Sequence, residues 1–282
     1  MIRISLTVLV VFFLGATLHA QELLVHKSDG SIINIAINSI DSITFNIDGL
    51  AGQGLPCPGT PTISDVDGNI YNTVLIGNQC WMKENLSTTK YKNGISIEYP
   101  ENNNSAWQIN TTGAYAWYLN SITSKEIYGA LYNWHAVNNN NGLCPEGWHV
   151  PSQGDWEDLV VYFVESNGFP NHDEPDGAGN ALKSCLQENS PLGGDCNVFE
   201  HPRWNFDVIN HGFDEYGFSF LPGGTRDVSG VYLYAGSSGY LWASTEHNEL
   251  DALRLRMASN SGNARTFQYF KSAGHSIRCL KD

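Results

Sequence analysis

The architecture follows from one segment, Cys144-Pro-Glu-Gly-Trp-His-Val-Pro-Ser-Gln-Gly-Asp-Trp156. Ser152 is a good helix N-cap, Asp155 stands at the third helical position, and Pro151 precedes them. Apolar residues then recur at helical spacing, as Trp156, Leu159, Val160 and Phe163. The segment predicts a helix that begins after Ser152 and ends at Asn167-Gly168.

Short strands and frequent turns are predicted on both sides of this helix. Strand candidates are residues 69–76 and 77–86, and a second, shorter helix is predicted at residues 180–187. Two asparagine-rich segments, residues 101–112 and 138–141, predict exposed loops, because asparagine competes with regular backbone pairing. Helices among antiparallel strands predict one α+β domain of about 220 residues.

The front of the chain predicts export. Residues 1–20 have the pattern of a secretory signal peptide, with Arg3, an apolar run at residues 4–14 and a small residue, Ala20, at the expected cleavage point. Nothing after residue 20 is apolar enough to predict a membrane span. We therefore expect a secreted, periplasmic or cell-surface protein.

Three further segments follow the signal peptide. Residues 21–50 predict a small β-module, in which strands at residues 23–25 and 32–35 flank an Asp-Gly turn at residues 28–31 and a third strand covers residues 40–45. Two or three strands bury too little surface to stand alone. Residues 51–62 have linker composition, and residues 63–282 form the main domain.

The net charge of −14, from 15 basic and 29 acidic residues, argues against nucleic acid as a partner. Excess carboxylates can collect divalent cations, although a solvated acidic surface is the simpler explanation. The best candidate for calcium is the cluster Asp173, Glu174 and Asp176. The segment Asp65-Val-Asp-Gly-Asn69 lacks the distal glutamate of a calcium loop, and we interpret it as a turn.

Six cysteines in an exported chain predict disulfides. The sequence alone leaves many connectivities open. We expect a local pair across a Pro/Gly-rich loop and a pair that ties the helical middle to the last strand, which leaves a third pair at the linker: Cys185 with Cys196, Cys144 with Cys279, and Cys57 with Cys80. No pair has Cys-x-x-Cys spacing, so a zinc knuckle is not predicted.

An ordered set of motifs resembles the Fibrobacter succinogenes major paralogous domain family of exported proteins from Bacteroidetes-like bacteria. The matching segments are residues 67–71, 76–86, 129–134, 144–156, 222–224, 239–246 and 276–279. The resemblance implies a layout similar to C-type-lectin-like folds, with one to two helices and a terminal strand tied back by a disulfide. That fold class includes sugar binders, protein binders and the formylglycine-generating enzymes, so it does not select a function.

The motifs of calcium-dependent sugar-binding lectins are absent, and a face built from stacked aromatic residues is the alternative to the calcium cluster for binding a glycan. The tryptophans inside family motifs are expected to be structural. Aromatic residues in or near polar loops are the better surface candidates: Trp107, Trp117, Tyr118, Tyr232 and Tyr234. Three arginines are expected in partly buried ion pairs that hold loops: Arg226 with Asp227, Arg254 with Glu246, and Arg278.

Enzyme chemistry is poorly supported, because there is no reactive cysteine pair, no Gly-x-Ser-x-Gly elbow and no His-Glu-x-x-His motif. We expect a non-catalytic binding or adhesion module for a glycan or a surface protein, with loops at residues 101–120, 170–178 and 226–240 as the contact surface. One alternative is an assembly component that docks through residues 21–50. The other is a redox enzyme related to formylglycine-generating enzymes.

Overall fold

The computed structural model describes residues 22–26, 32–36, 54–166, 168, 177–185, 204–207, 209–210 and 212–282. The chain divides into two compact units, residues 1–49 and residues 50–282. In the first unit, β1 (Glu22–His26) pairs antiparallel with β2 (Ile32–Ala36). The predicted turn at residues 28–31 and the predicted strand at residues 40–45 lie outside the described residues.

The second unit is built mostly from short strands. Its strands are β3 (Thr62–Ser64), β4 (Ile70–Ile76), β5 (Gln79–Met82), β6 (Tyr115–Ala116), β7 (Leu131–Asn133), β8 (Trp148–His149), β9 (Gly223–Arg226), β10 (Tyr232–Ala235), β11 (Ser238–Glu246), β12 (Asp251–Ala258), β13 (Arg265–Phe270), β14 (Gly274–His275) and β15 (Leu280–Lys281). Its helices are α1 (Asn104–Ile109), α2 (Ile122–Tyr128), α3 (Trp134–Val137), α4 (Gln153–Val161) and α5 (Ala178–Leu182). The expectation of one to two helices was too low, because several loops close into single helical turns.

The strands form three sheets in this unit. One has the order β3-β4-β5-β15-β8, the second β10-β9-β14-β7-β6, and the third β11-β12-β13. All the named strand pairs are antiparallel. The α+β class predicted from the sequence is therefore confirmed. No helix in the part of the chain that the structure describes is both long and apolar enough to cross a bilayer.

Helix α4 begins where the sequence predicts. The Ser152 Oγ accepts a hydrogen bond from the Asp155 N–H at 3.3 Å, and the Asp155 carboxylate accepts one from the Ser152 N–H at 2.7 Å. The α-helix ends at Val161, earlier than predicted, and continues as a π-helical turn over Tyr162–Ser166. The Trp156 ring stacks on Trp81 with centroids 4.6 Å apart, which anchors the helix on the core.

The last strand holds the two ends of the domain together. β15 lies between β5 and β8, so the C-terminal strand completes a sheet that the first strands begin. Two of the predicted disulfides are present, Cys57–Cys80 and Cys144–Cys279. Cys185 is also disulfide-bonded, and Cys196, its predicted partner, lies outside the described residues.

The segment at residues 101–112 is mostly exposed, as its asparagines predict, but it is not a loop throughout. It contains α1, whose N-cap residue Asn103 accepts a hydrogen bond from the Ala106 N–H at 3.0 Å. This short helix turns Trp107 fully into the core. Burial of the indole offsets the weak helix propensity of the asparagines.

The segment at residues 65–69 is a turn, as predicted. The two Asp65 oxygens accept hydrogen bonds from the Asp67 and Asn69 backbone N–H groups, the Asn69 amide and the Tyr71 hydroxyl. Every acceptor direction of this carboxylate faces the protein's own donors. The turn uses its acidic side chains to satisfy backbone groups rather than to surround a cation.

The environment of Asp67 predicts that the stability of the fold decreases at acid pH. Partial burial raises the pKa of Asp67, but the Thr89 N–H and hydroxyl and the Lys90 ammonium outweigh it and lower the pKa from 3.8 to about 2. The stabilisation from this group is therefore complete above the unfolded pKa and is lost as the pH falls from about 4 towards 2. Asp67→Asn should lower stability at pH 6 and flatten the decline of the unfolding free energy between pH 4 and 2.

Urea unfolding at pH 6, 4, 3 and 2 checks this. The matched control is Glu146→Gln, at a carboxylate that is almost fully exposed in its pair with Lys92. The control should follow the wild-type pH dependence. A wild-type-like decline in Asp67→Asn would contradict the assignment.

Candidate binding surface

The structure separates the five predicted ligand-contact residues. Trp107 and Trp117 are buried, so the prediction that they are surface residues was wrong. Tyr118 and Tyr232 are half-buried, and Tyr234 is 55% exposed. All eight tryptophans lie in the described residues and all are buried: Trp81, Trp107, Trp117, Trp134, Trp148, Trp156, Trp204 and Trp242. The indoles are core packing in a domain with few long helices.

Four of the five residues nevertheless belong to two adjoining clusters. The Arg226 guanidinium lies between the Trp107 and Tyr232 rings, 4.5 and 5.1 Å from their centroids. The Tyr232 ring meets the Tyr118 ring edge-on at 5.4 Å. Trp117 lies one residue before Tyr118 and has the Lys125 ammonium 5.0 Å from its ring centroid. The two tryptophans thus support a surface from within the core, whereas the tyrosines reach the surface at least in part.

Arg226 is fully buried and does not pair with Asp227. Its Nε donates to the Gly230 carbonyl and its Nη2 to the Asn104 side-chain oxygen, each at 3.1 Å. The Asp227 carboxylate instead accepts from the Ser229 and Val231 N–H groups and stabilises the turn between β9 and β10. The guanidinium is held by π faces and neutral acceptors, and it locks α1 against this turn.

The other two predicted ion pairs are also wrong within the described residues. Arg254 lies between the Tyr240 and Tyr269 rings, 4.3 and 3.7 Å from their centroids, while Glu246 pairs with Lys271. Arg278 donates to the Phe218 and Ser219 carbonyls and to Asn85. A planar guanidinium can stack and donate at once, so these arginines replace ion pairs with cation–π and carbonyl contacts.

One asparagine fixes the segment after Trp117. The Asn120 side-chain oxygen accepts a hydrogen bond from the Tyr232 hydroxyl at 2.9 Å, and its amide donates to the Asn102 side-chain oxygen at 2.6 Å. The Tyr99 hydroxyl is 3.4 Å from the same oxygen. These contacts join the 3-10 turn Tyr118–Asn120 to β10 and to the loop before α1. Nothing in the sequence apart from asparagine enrichment points to this role.

The backbone of this region is held in the left-handed conformation at several non-glycine residues. Leu119 has φ +55°, Asn120 +51°, Tyr234 +68° and Glu101 +50°. A bulky residue such as leucine pays a steric cost there, and such outliers concentrate at functional sites. Leu119 is also 65% exposed, so the turn presents an apolar side chain to solvent from a strained and well-anchored backbone.

We define the Leu119 surface as the exposed and half-buried apolar side chains of this turn, of the start of α2, and of residues 231–234, whose Tyr232 contacts the turn: Tyr118, Leu119, Ile122, Val231 and Tyr234. Gly224 supports it from below. A Cβ at Gly224 would lie 2.5 Å from the Leu233 carbonyl oxygen and 2.9 Å from the Tyr118 ring, and its φ is +67°. Only glycine lets Tyr118 pack on this strand.

A shallow cleft of about 310 Å³ lies beside this surface. Residues of α2 line one side, including Ile122 and Lys125, and Ile70 and Glu84 line the other. The Glu84 carboxylate accepts two hydrogen bonds from Asn72, at 2.8 Å each. Two acids line this cleft, Glu84 and Glu126, and the first of them is engaged by a strand residue.

The predicted calcium ligands Asp173, Glu174 and Asp176 lie outside the described residues. Within the ranges that are described, no three side chains of histidine, cysteine, aspartate or glutamate group as a metal site would require. The predicted loops at residues 101–120 and 226–240 meet through Arg226 and Tyr232, as shown above. The third predicted loop, residues 170–178, is described only at residues 177 and 178.

Comparison with known sequences decides the family. A sequence model of the Fibrobacter succinogenes major domain matches residues 74–281, which is more than half of the chain. The chain belongs to this family. No curated protein matches the chain, and no solved structure matches it.

The motifs that characterise this Fibrobacter succinogenes major domain have structural roles. The Trp242 Nε1 donates to the Tyr132 carbonyl at 2.8 Å, and the Trp134 Nε1 donates to the Ala243 carbonyl at 2.9 Å. These bonds cross between β11 and the β7–α3 segment. The motifs therefore identify the fold. The residues of the Leu119 surface, which lie between positions 118 and 122 and between 231 and 234, are outside the quoted motifs.

Proposed function

We propose that this Fibrobacter succinogenes major domain is a non-catalytic binding module that docks a cell-surface protein on the Leu119 surface. The observation that carries the proposal is the exposed, left-handed Leu119 on a turn anchored by Asn120. A rigid scaffold that presents a strained apolar residue has already lost the conformational entropy that binding would cost.

A protein partner is better supported than a neutral glycan at this surface. Glycan stacking favours exposed, flat aromatic rings, and all eight tryptophans are buried. The exposed side chains here are mainly aliphatic: Leu119, Ile122 and Val231. Aliphatic side chains around one tyrosine match the apolar centre of a protein interface.

We further propose that the domain is C-type-lectin-like. The support is the terminal strand β15, which lies between β5 and β8, and the Cys144–Cys279 disulfide that ties it to the segment before α4. In such folds, variable loops carry the contacts and the strands carry the scaffold.

Export remains part of the proposal, with cleavage of residues 1–20 near Ala20 and a secreted, periplasmic or cell-surface location. The Cys57–Cys80 and Cys144–Cys279 disulfides support it, because such bonds persist in oxidising compartments. Residues 21–50 as a separate module and residues 51–62 as a linker belong to the same proposal.

The bonds that the candidate reactive groups make support a non-catalytic role. Cys279 and Cys144 are joined to each other, which leaves them without the thiolates that oxidase chemistry needs. Of the two acids that line the cleft beside the Leu119 surface, Glu84 and Glu126, Glu84 is engaged by Asn72. Both observations favour a binding role over a formylglycine-type redox reaction.

An assembly role for the first unit is the second candidate. Its β1–β2 pair is a two-stranded sheet, which is at best marginally stable alone and offers unpaired strand edges. Deletion of residues 21–50 should then abolish co-purification with the surface complex and leave binding through the Leu119 surface unchanged. Loss of both would contradict two separate roles.

Leu119→Asn tests the main proposal, because it separates stability from binding. Asparagine tolerates the left-handed backbone, so the variant should gain about 0.5–1 kcal/mol in unfolding free energy. The same change removes the apolar contact and should weaken partner binding at least tenfold. Residues 21–282, wild type and variant, would be applied to an array of extracellular proteins and to a glycan array.

Ile109→Asn is the matched control, at an exposed apolar side chain of α1 outside the Leu119 surface. It should bind the protein array as the wild type does. Equal binding by wild type and Leu119→Asn would overturn the proposed surface. Signal on the glycan array alone would replace the protein partner with a carbohydrate.

A further inference from the structure

The third sheet carries three arginines on one face. Residues of β12 alternate between faces, so Arg254 and Arg256 share one, and Arg265 of β13 lies directly opposite Arg256. This is a local concentration of positive charge in a chain with 15 basic and 29 acidic residues. Like charges placed directly opposite on neighbouring strands destabilise a sheet, so the fold by itself does not favour this arrangement.

A pocket of about 300 Å³ opens at these side chains. Its polar and aromatic lining consists of Arg256, Asn260, Ser261, Asn263, Arg265 and Phe267. No acidic residue is among the described lining residues. The pocket therefore joins two guanidinium groups, amide and hydroxyl groups, and the ring of Phe267, which is 38% exposed.

Arg254 lies on the same face, next to the pocket, and adds to the positive charge. Its guanidinium lies between Tyr240 and Tyr269, and its Nη1 donates to the His275 Nε2 at 3.1 Å. Burial and the neighbouring Arg254 lower the pKa of His275 well below its usual value, so the imidazole is neutral. The contacts of Arg254 among the described residues thus include no carboxylate.

We propose that this pocket binds the carboxylate of an acidic oligosaccharide, of the uronic acid type. The Arg256 guanidinium suits a carboxylate because its planar fork can donate two parallel hydrogen bonds. Asn260 offers hydrogen-bond partners for ring hydroxyl groups, and Phe267 offers an apolar ring for a sugar face. The pocket shares no residue with the Leu119 surface, so this inference is independent of the proposed protein partner.

The chemistry of the lining distinguishes this ligand from its competitors. A neutral sugar would offer the Arg256 guanidinium no counter-charge. An acidic peptide would satisfy the arginines but would not use the ring and amide groups together. The volume, about 300 Å³, suits one or two sugar rings and is at the lower end for small-molecule sites.

Arg256→Gln is the decisive variant, because Arg265 also interacts elsewhere in the protein. Isothermal titration of residues 21–282 would use trigalacturonic acid, its methyl ester and hexaglutamate. We expect binding of the free acid only, weakened by rising salt, and a tenfold to hundredfold loss in Arg256→Gln, roughly the worth of a charged hydrogen-bonded pair. Lys92→Gln, with the same charge change at an exposed pair with Glu146, should bind as the wild type does.

Thermal unfolding of the ligand-free proteins supplies a second measurement. Because Arg256 faces Arg265 across the strands, Arg256→Gln should unfold at the same or a higher temperature than the wild type. A lower unfolding temperature would make Arg256 a structural residue and overturn the proposal. Equal binding of the methyl ester would overturn the role of charge, equal binding of hexaglutamate would overturn the sugar, and no binding of the free acid would overturn the site.

Discussion

Replacing both Cys144 and Cys279 by alanine is expected to lower the free energy of unfolding by about 5 kcal/mol. The two residues are 135 positions apart, and closing so long a loop removes much of the conformational entropy of the unfolded chain. The bond also joins the segment before α4 to the last strand, in the main core. Loss of this bond should therefore free β15 from the segment before α4 and expose to solvent the part of the core that the family motifs surround.

The Cys57–Cys80 pair supplies the internal comparison. Its separation is 23 residues, for which the same entropy argument gives about 3.5 kcal/mol. Guanidinium chloride unfolding of the two double variants, both kept free of reducing agent, measures the difference. Equal losses, or a larger loss at Cys57–Cys80, would show that loop length does not set the contribution of these bonds.

Replacing Asn133 by leucine is expected to cost about 3–5 kcal/mol. Its buried side-chain oxygen accepts hydrogen bonds from the Ala114 N–H at 2.9 Å and the Ala136 N–H at 3.1 Å, and its amide donates to the Asn110 side-chain oxygen at 2.9 Å. Leucine has a similar size but would leave two buried backbone donors unpaired. An unpaired buried donor costs more than the bond itself contributes.

Urea unfolding measures this loss against Asn140→Leu, a substitution at an exposed asparagine in a turn. That control should change the unfolding free energy by no more than about 0.5 kcal/mol. Near-wild-type stability of Asn133→Leu would mean that the two backbone groups find other acceptors.

The sequence predicted correctly those elements that are determined by residues close together along the chain. Helix α4 begins at the predicted cap because Ser152 and Asp155 satisfy each other's backbone groups. The segment at residues 101–112 was predicted wrongly in part, for a related reason. Its asparagines favour a loop locally, but the burial of Trp107 against Arg226, a contact with a residue far along the chain, decides for a helix.

The sequence predicted the aromatic residues of the candidate surface but not its aliphatic ones. Aromatic residues near polar segments pointed to Tyr118 and Tyr232, whose rings meet edge-on, and to Tyr234, which lies on the same strand as Tyr232. The left-handed conformation of Leu119 has no sequence signal, because leucine does not favour it. It follows from the hydrogen bonds that Asn120 makes to Tyr232 and Asn102.

The sequence by itself determined the family, the α+β class, the start of helix α4 and the cysteines available for disulfides. These depend on spacing and residue type, which are properties of neighbours along the chain. The tertiary structure decided that Trp107 and Trp117 are buried, that three arginines pack against aromatic rings, and that Leu119 and the Arg256 pocket face solvent. Each of these outcomes depends on which distant strands meet. The free energy of burial and of buried hydrogen bonds is shared among residues that lie far apart in the sequence.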